Sequence, residues 1–501
     1  MNLKISISSL KVISVIYLAF PYFIFFLGWL KLPIGVFLSL LLLVGLYLYS
    51  KGQNDPKIPQ IPLFQLIAIF LIVLLWVLFS GAGGFGYQNH DYYKHNSLLK
   101  DLTDQHWPVS YIVDSGKKFL SHYLAYYLPG PGLFASLGWK YVNMANFFLT
   151  LTGVLIAVFW LLRFVGKFSF WVLFVFILAG GAHLLILYFT HGGSLAHFLK
   201  DTIQNHGNMF WLNCLNINGQ PINKINFMTV SDMLYWGPQH AISCWIGMGL
   251  LLNDWLDKNI KYSPFYISLI AFWAPLALIG IAPFLLYFLV LEKFKGIFNW
   301  VNMLIAPIIF IVIGIFLTSI KTNELIHHFL IHDRSVDGIS ILNQIVAYFY
   351  FLCVEVFIWW IPAFLILRKT PLKKYNGLYW LVLALLMVIP LFRYGQWNDW
   401  CTRVSLPALY VLYAMMAMAI INVKQLKIRL LLITVCLICA LSPITLIMSS
   451  LNSSGFKVQW TPPVYEFIGD LPSASVGFPV DQFVADPDCF FYKYLAKTKS
   501  N

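Results

Sequence analysis

Charge is what this sequence has least of. Only 11% of its 501 residues are Asp, Glu, Lys or Arg, against 60% hydrophobic, and the mean hydropathy is +0.76. A chain this long with so little charge cannot cover a soluble globule with polar surface. Repeated apolar runs of about 18 or more residues mean membrane-spanning helices. Acid is scarcer than base, 20 residues against 33, for a net charge of +13. In a membrane protein that surplus reports orientation and contact with anionic headgroups, so the partner it implies is membrane lipid and not nucleic acid. Cysteine is sparse as well. The seven are scattered without metal-ligand spacing, and Cys436 and Cys439 lie in an apolar run, where burial is expected and redox chemistry is not. A cleavable leader is missing: the apolar run from Leu10 to Leu30 is too long and has no small-residue cleavage site, so it is expected to remain as the first span. No internal repeat is evident.

What is present is a succession of about thirteen apolar runs. They fall at 10–30, 33–50, 61–80, 144–162, 168–190, 237–255, 264–277, 279–291, 301–319, 341–367, 377–392, 402–422 and 430–449. The expected fold class is an all-α polytopic membrane protein whose outer-face loops carry amphipathic surface helices. Residues 1–449 form the multi-span domain and 450–501 a short non-cytoplasmic cap. Fusing the seventh and eighth runs around Pro275 would reverse everything downstream. Basic residues argue against it. With the N-terminus inside, every short cytoplasmic segment is basic, from Lys4 and Lys11 through Arg163 and Lys167 to the cluster Arg368, Lys369, Lys373 and Lys374. That is the positive-inside pattern. It predicts an inner (plasma) membrane protein with a cytoplasmic N-terminus and an outer C-terminus.

The long polar segments then share the outer face: 81–143, 191–236, 320–340, 393–401 and 450–501. Every histidine but His183 falls in or beside them. The first loop opens with a glycine run and packs His90, Asp91, Lys94 and His95 together. Two amphipathic helices are expected after it, at 91–106 and 115–128, lying flat at the membrane surface. Asp91 stands at the start of the first, where a carboxylate either caps the helix or serves as a base. Lys94, His90 and His95 surround it with positive charge and favour the ionised form. The second loop is rich in Asn and Gly, which suits sugar hydroxyls, and ends in Y-W-G-P-Q-H-A, with His240 at a helix start. In the third loop His328 and His332 would stand one turn apart on a helix, a spacing open to a divalent metal, though no Glu lies between them; a metal or other cofactor is not favoured. The fourth loop, R-Y-G-Q-W-N-D-W-C-T-R, places Arg393 before the twelfth span and Arg403 within it. An arginine there needs an anion. Asp399, one turn back, is one partner; a lipid phosphate gripped by two parallel hydrogen bonds is another. Glu355, inside the tenth run, is the other costly charge.

A first large outer loop with an acid near its start, after a cytoplasmic N-terminus and amid an odd number of spans, resembles the GT-C superfamily of integral membrane glycosyltransferases. The segments N-H-D-Y-Y-K-H-N, P-Q-H-A and R-Y-G-Q-W-N-D-W-C-T-R are also similar to segments of large bacterial membrane proteins. The GT-C resemblance is best over the first 200 residues or so and is one of layout. It departs from the usual pattern in two ways: two extra spans precede the loop, where one is usual, and Asp91 is followed by Tyr-Tyr-Lys where the protein mannosyltransferase branch has a second acid. The resemblance implies transfer of a sugar from a polyprenyl-phosphate donor to an acceptor glycan or lipid on the outer face. Asp91 is then the catalytic base. Lys94, His90, His95, His240, Arg393, Asp399 and Arg403 are the substrate-binding candidates. The rival expectations are a lipid-linked glycan flippase or transporter and a surface-glycan polymerase or ligase.

The charge pattern makes a prediction about sidedness. Reporter fusions after Asn376 and after Asn452 should report the inside and the outside respectively; the same side for both would overturn the topology.

Overall fold

The structure, a computed structural model, describes residues 2–53, 60–113, 116–182, 216–217, 220–221, 225–320, 327–329, 340–395, 397–455 and 480–497. Among these, five helices are long and apolar enough to cross a bilayer: Ile7–Trp29, Leu32–Lys51, Trp139–Val165, Ile341–Leu367 and Pro371–Leu391. A sixth span results if Leu426–Cys439 and Leu441–Ser453, bent by 46° to one another, count as one. Four shorter apolar helices accompany them: Leu63–Leu78, Pro275–Leu291, Val301–Leu317 and Leu406–Asn422. The chain is an α-helical membrane protein, and the expected count of thirteen spans is not met.

Local chemistry explains where the count fails. In the run 168–190 the described part, 168–182, is helical over Phe170–Ile177, and residues 183–190 lie outside the described residues. The run 264–277 yields the six-residue helix Ser263–Ser268 and a 3-10 turn, then breaks at Ala274 (φ −160°, ψ 84°). Pro275 follows, and a proline drives the residue before it out of the helical region. The run 237–255 does form a helix, Pro238–Leu256, but its apolar residues share it with Gln239, His240, Asn253 and Asp254. It is the bundle's central helix and is buried on every side from Pro238 to Asp254. Apolar patterning alone cannot separate a helix buried in protein from one that faces lipid.

Small residues let the neighbours of this helix approach closely. A Cβ on Gly249 would fall 2.5 Å from Trp160 Cβ, and one on Gly153 would fall 2.4 Å from Ile242. Glycine at such positions brings backbones together where hydrophobicity cannot drive helix association. At the end of the central helix assigned to the cytoplasm, charges lock three helices. Lys11, 1% exposed, reaches Asp254 at 2.6 Å and Asp257 at 2.8 Å; Arg163 reaches Asp257 at 2.7 Å and Asn253 at 2.8 Å.

The first outer loop departs from expectation twice. The helix Tyr92–Asp104 forms where 91–106 was expected, but it does not lie bare at a membrane surface. Its polar side is covered as well: Asp101 accepts from Tyr111 Oη at 2.7 Å, and Asn96 donates to Gln88 at 2.8 Å. The expected helix 115–128 is instead the second arm of a hairpin, Ser110–Val113 with Gly116–Leu120, in antiparallel register Ser110 to Phe119. The β-branched and aromatic run S-Y-I-V favours a strand, and pairing it overrode the helical spacing of Phe119, Tyr123, Tyr126 and Tyr127. A third strand, Val484–Ala485, comes from the C-terminal segment.

The ionic lock predicts a stability effect. Lys11→Met leaves Asp254 buried without its cation and should cost about 3–5 kcal/mol. The check is thermal unfolding in detergent, where the double variant Lys11→Met/Asp254→Leu should regain much of the loss; an unchanged midpoint for the single variant would show that the lock carries no stability.

Candidate active site

Asp91 occupies the capping position of the helix Tyr92–Asp104 but does not cap it: its side chain accepts no hydrogen bond from the first turn. The backbone is the reason. A capping residue takes non-helical φ and ψ, which turn its side chain back over the first turn, and Asp91 is helical (φ −66°, ψ −21°). Asn89 holds the turn instead. Its Oδ1 accepts from the Asp91 amide at 3.0 Å, and its Nδ2 donates to the Tyr235 carbonyl at 2.8 Å. The Asp91 carboxylate is left partly exposed, 3.8 Å from the buried Lys94 ammonium. His90 is exposed, edge-on to Tyr93.

His95 is buried between three segments. Its Nε2 lies 3.0 Å from the Trp236 carbonyl and its Nδ1 2.6 Å from Tyr127 Oη. A carbonyl only accepts, so Nε2 carries the proton and Nδ1 accepts from the tyrosine. Burial, and then Lys94, push the His95 pKa down to about 4. It is neutral and adds no positive charge beside Asp91, contrary to expectation. Its role is to position the helix that carries Asp91 and Lys94.

Around this helix end other polar segments converge. Tyr123, just past the hairpin, is their meeting point. Its ring packs on His122 (centroids 3.7 Å apart) and meets the edge of His240 (5.1 Å), and its hydroxyl lies 3.4 Å from Arg403 Nη1. His240 does not cap its helix: among the described residues both its ring nitrogens are buried without a hydrogen bond, as is Nε2 of His122. Burial, then Lys94 and Arg403, hold the His122 pKa well below the usual range.

Arg403 lies on the short helix Asp399–Val404. Asn398, in the left-handed region (φ 54°), caps this helix by accepting from the Cys401 amide at 3.2 Å. That leaves the Asp399 carboxylate to Arg403, at 2.8 Å. Gly395 (φ 81°) makes room for it, since a Cβ there would fall 2.6 Å from Asp399 Oδ2. Arg393 is placed apart, buried on the strand Phe392–Tyr394, opposite His328 of the strand His327–Phe329. His328 is thus on a strand and not on the helix expected there. His332 and Asp333 lie outside the described residues, as do His183 and most of the Asn-rich loop. Glu355 is buried, 2% exposed, on a π-helical turn at the middle of Ile341–Leu367.

The structure therefore brings Asp91, Lys94, His240, Asp399 and Arg403 into one cluster with His95 as its support, leaves His90 at the rim, and sets Arg393 on the neighbouring strand. His122 and Tyr123 are the site residues that sequence reasoning missed. A helix over 115–128 puts the two on opposite faces; reading strands at 109–120 puts both just past a strand end. Nothing in the sequence aims Tyr123 at Arg403, which is 280 residues away.

Searches against protein-family profiles, curated proteins and solved structures find nothing that matches this chain.

The buried neutral His95 makes stability depend on pH. Its pKa is 6.5 unfolded and about 4 folded, so its contribution is complete above about pH 6.5 and is lost as pH falls toward 4. The full difference is roughly 3 kcal/mol. Acid unfolding followed by tryptophan fluorescence should lose about that much stability across this window, and His95→Gln should flatten the dependence; equal acid sensitivity in both would refute the assignment.

Proposed function

We propose that this cluster is the active site of a membrane glycosyltransferase of the GT-C type, one that moves a sugar from a polyprenyl-phosphate donor to an acceptor glycan or lipid at the outer face of the plasma membrane. The observation that carries the reading is the carboxylate of Asp91, which caps no helix and stands partly exposed beside Lys94. It stands at a capping position, does no capping, and faces a cation in a cluster of buried donors. Every segment that contributes to the cluster falls on the side that the basic residues mark as outer, where nucleotide sugars are absent and a lipid-borne donor is the natural one.

The chemistry assigns each group a task. Asp91 accepts the proton of the acceptor hydroxyl as its oxygen bonds to the sugar C1. The bond from C1 to the phosphate oxygen breaks, and its electron pair leaves with the lipid phosphate. Arg403 and Lys94 balance the charge that develops there. Arg403 spends one Nη on Asp399 and offers the other beside Tyr123, so it can take an anion without abandoning its partner. The reading calls on no metal, because the cations of the chain do that work.

One observation favours a second reading, a lipid-linked glycan flippase. Glu355 is a buried mid-helix acid on a π turn, and a Cβ on Gly181 would fall 1.9 Å from its carboxylate. Intramembrane acids of this kind mark transport paths. Vesicle translocation of a labelled lipid-linked oligosaccharide that depends on Glu355, without sugar transfer, would move the assignment to that class.

The test of the enzyme reading is Asp91→Asn in a transfer assay with polyprenyl-phosphate sugar. Expression and folding should hold while transfer falls by about 10²–10⁴, the range for losing a general base. Arg403→Lys keeps the charge but loses the paired geometry and should weaken donor binding. Transfer by Asp91→Asn at the parent rate would refute the base.

A further inference from the structure

The C-terminal segment returns to the site and is built into its wall. Leu120 pairs with Val484, and the Ser121 amide donates to the Phe483 carbonyl at 2.8 Å. Lys118 pairs with Asp486. Tyr492 stacks on Phe119 at 4.5 Å, accepts from Trp29 Nε1 at 3.3 Å and donates to the Leu120 carbonyl. Farther on, the Lys31 amide donates to the Leu495 carbonyl and the Lys497 amide to the Trp29 carbonyl, both at 2.9 Å. One segment thus ties the end of the hairpin to the end of the first membrane helix. The residues next along the chain from that hairpin are His122 and Tyr123.

The closest consequence is at His122. The Phe483 ring lies 4.9 Å from the imidazole, and the two are 3% and 5% exposed. Tyr123 covers the imidazole on another side. The charged and titratable groups that act on it are Lys94 and His95 of the helix Tyr92–Asp104 and Arg403 of Asp399–Val404; His240 joins the same group from the central helix. Its Nε2 is buried with no hydrogen-bond partner among the described residues, although a polar atom so buried ordinarily has one. A ligand acceptor is the partner it lacks.

We propose that Phe483 is a positioning residue of the site, which fixes His122 and keeps water from it so that the imidazole, in its Nε2–H tautomer, donates as a neutral group to the phosphodiester of the donor lipid. The inference rests on the donor-lipid reading given above. It makes the C-terminal segment a working part of the site, where the sequence suggested only a cap.

The test measures binding of a polyprenyl phosphoryl-hexose to the full chain in nanodiscs between about pH 5 and pH 8, where that phosphodiester keeps one charge while an ordinary histidine titrates. The parent should bind with a flat profile. In Phe483→Ala, water reaches His122, the largest cause that holds its pKa down is relieved, and the pKa rises toward the ordinary range. Binding should weaken at the alkaline end and become about three- to tenfold tighter toward acid, as an imidazolium meets the anion. Phe483→Ala/His122→Asn should bind weakly with a flat profile again. A Phe483→Ala profile that matches the parent overturns the inference, while loss of binding in Arg403→Lys keeps the donor reading alive. A parent that binds no probe overturns both. If Phe483→Ala does not fold, Phe483→Leu is read by diethyl pyrocarbonate modification of His122: reaction in the variant but not the parent supports the inference, and equal protection overturns it.

Discussion

The central helix Pro238–Leu256 is buried on all sides, and the rest of the protein is arranged around what such a helix must hide. Its middle is apolar and is met by close-packed neighbours. Its ends are polar, and polar groups at a buried end need partners within the protein. At one end Asp254, with Asp257 just beyond, draws in Lys11 and Arg163 from two membrane helices. At the other, roughly 21 Å away at 1.5 Å per residue, His240 meets Tyr123 and the outer loops. One end is saturated by ion pairs. The other keeps buried nitrogens without hydrogen bonds. That asymmetry separates a structural lock from the cluster proposed as the active site.

The site is also balanced in charge. Each cation has an acid of its own: Asp91 for Lys94 and Asp399 for Arg403. His95 and His122 are kept neutral by burial. A resting site without net charge avoids the cost of isolated charges beside a membrane, yet it holds enough N–H donors to receive an anion. Neither acid is spent on a helix cap, because Asn89 and Asn398 hold the two turns. Amides do the structural work at both turns, and the carboxylates remain for electrostatics.

How much of this was legible follows from the range of each signal. The helix at Tyr92–Asp104 was readable because its apolar and polar positions alternate with helical period within one segment. The hairpin was not, because its aromatic spacing fits a helix equally well and the competing pairing partner, Val484–Ala485, lies far along the chain. The span count failed for a related reason. Apolar runs report removal from water, and protein and lipid remove a helix from water alike.

By itself, the sequence determined that the chain belongs in a membrane and which polar segments carry Asp91, Lys94, His240, Asp399 and Arg403. Composition and local charge suffice for that, because hydration of apolar and charged groups acts residue by residue. Tertiary structure alone decided which apolar helix became the core, that Asp91 leaves its cap unmade, that Tyr123 stands beside Arg403 and that Phe483 stands beside His122. Those outcomes depend on backbone angles set by packing and on contacts between segments hundreds of residues apart, and no local preference encodes either.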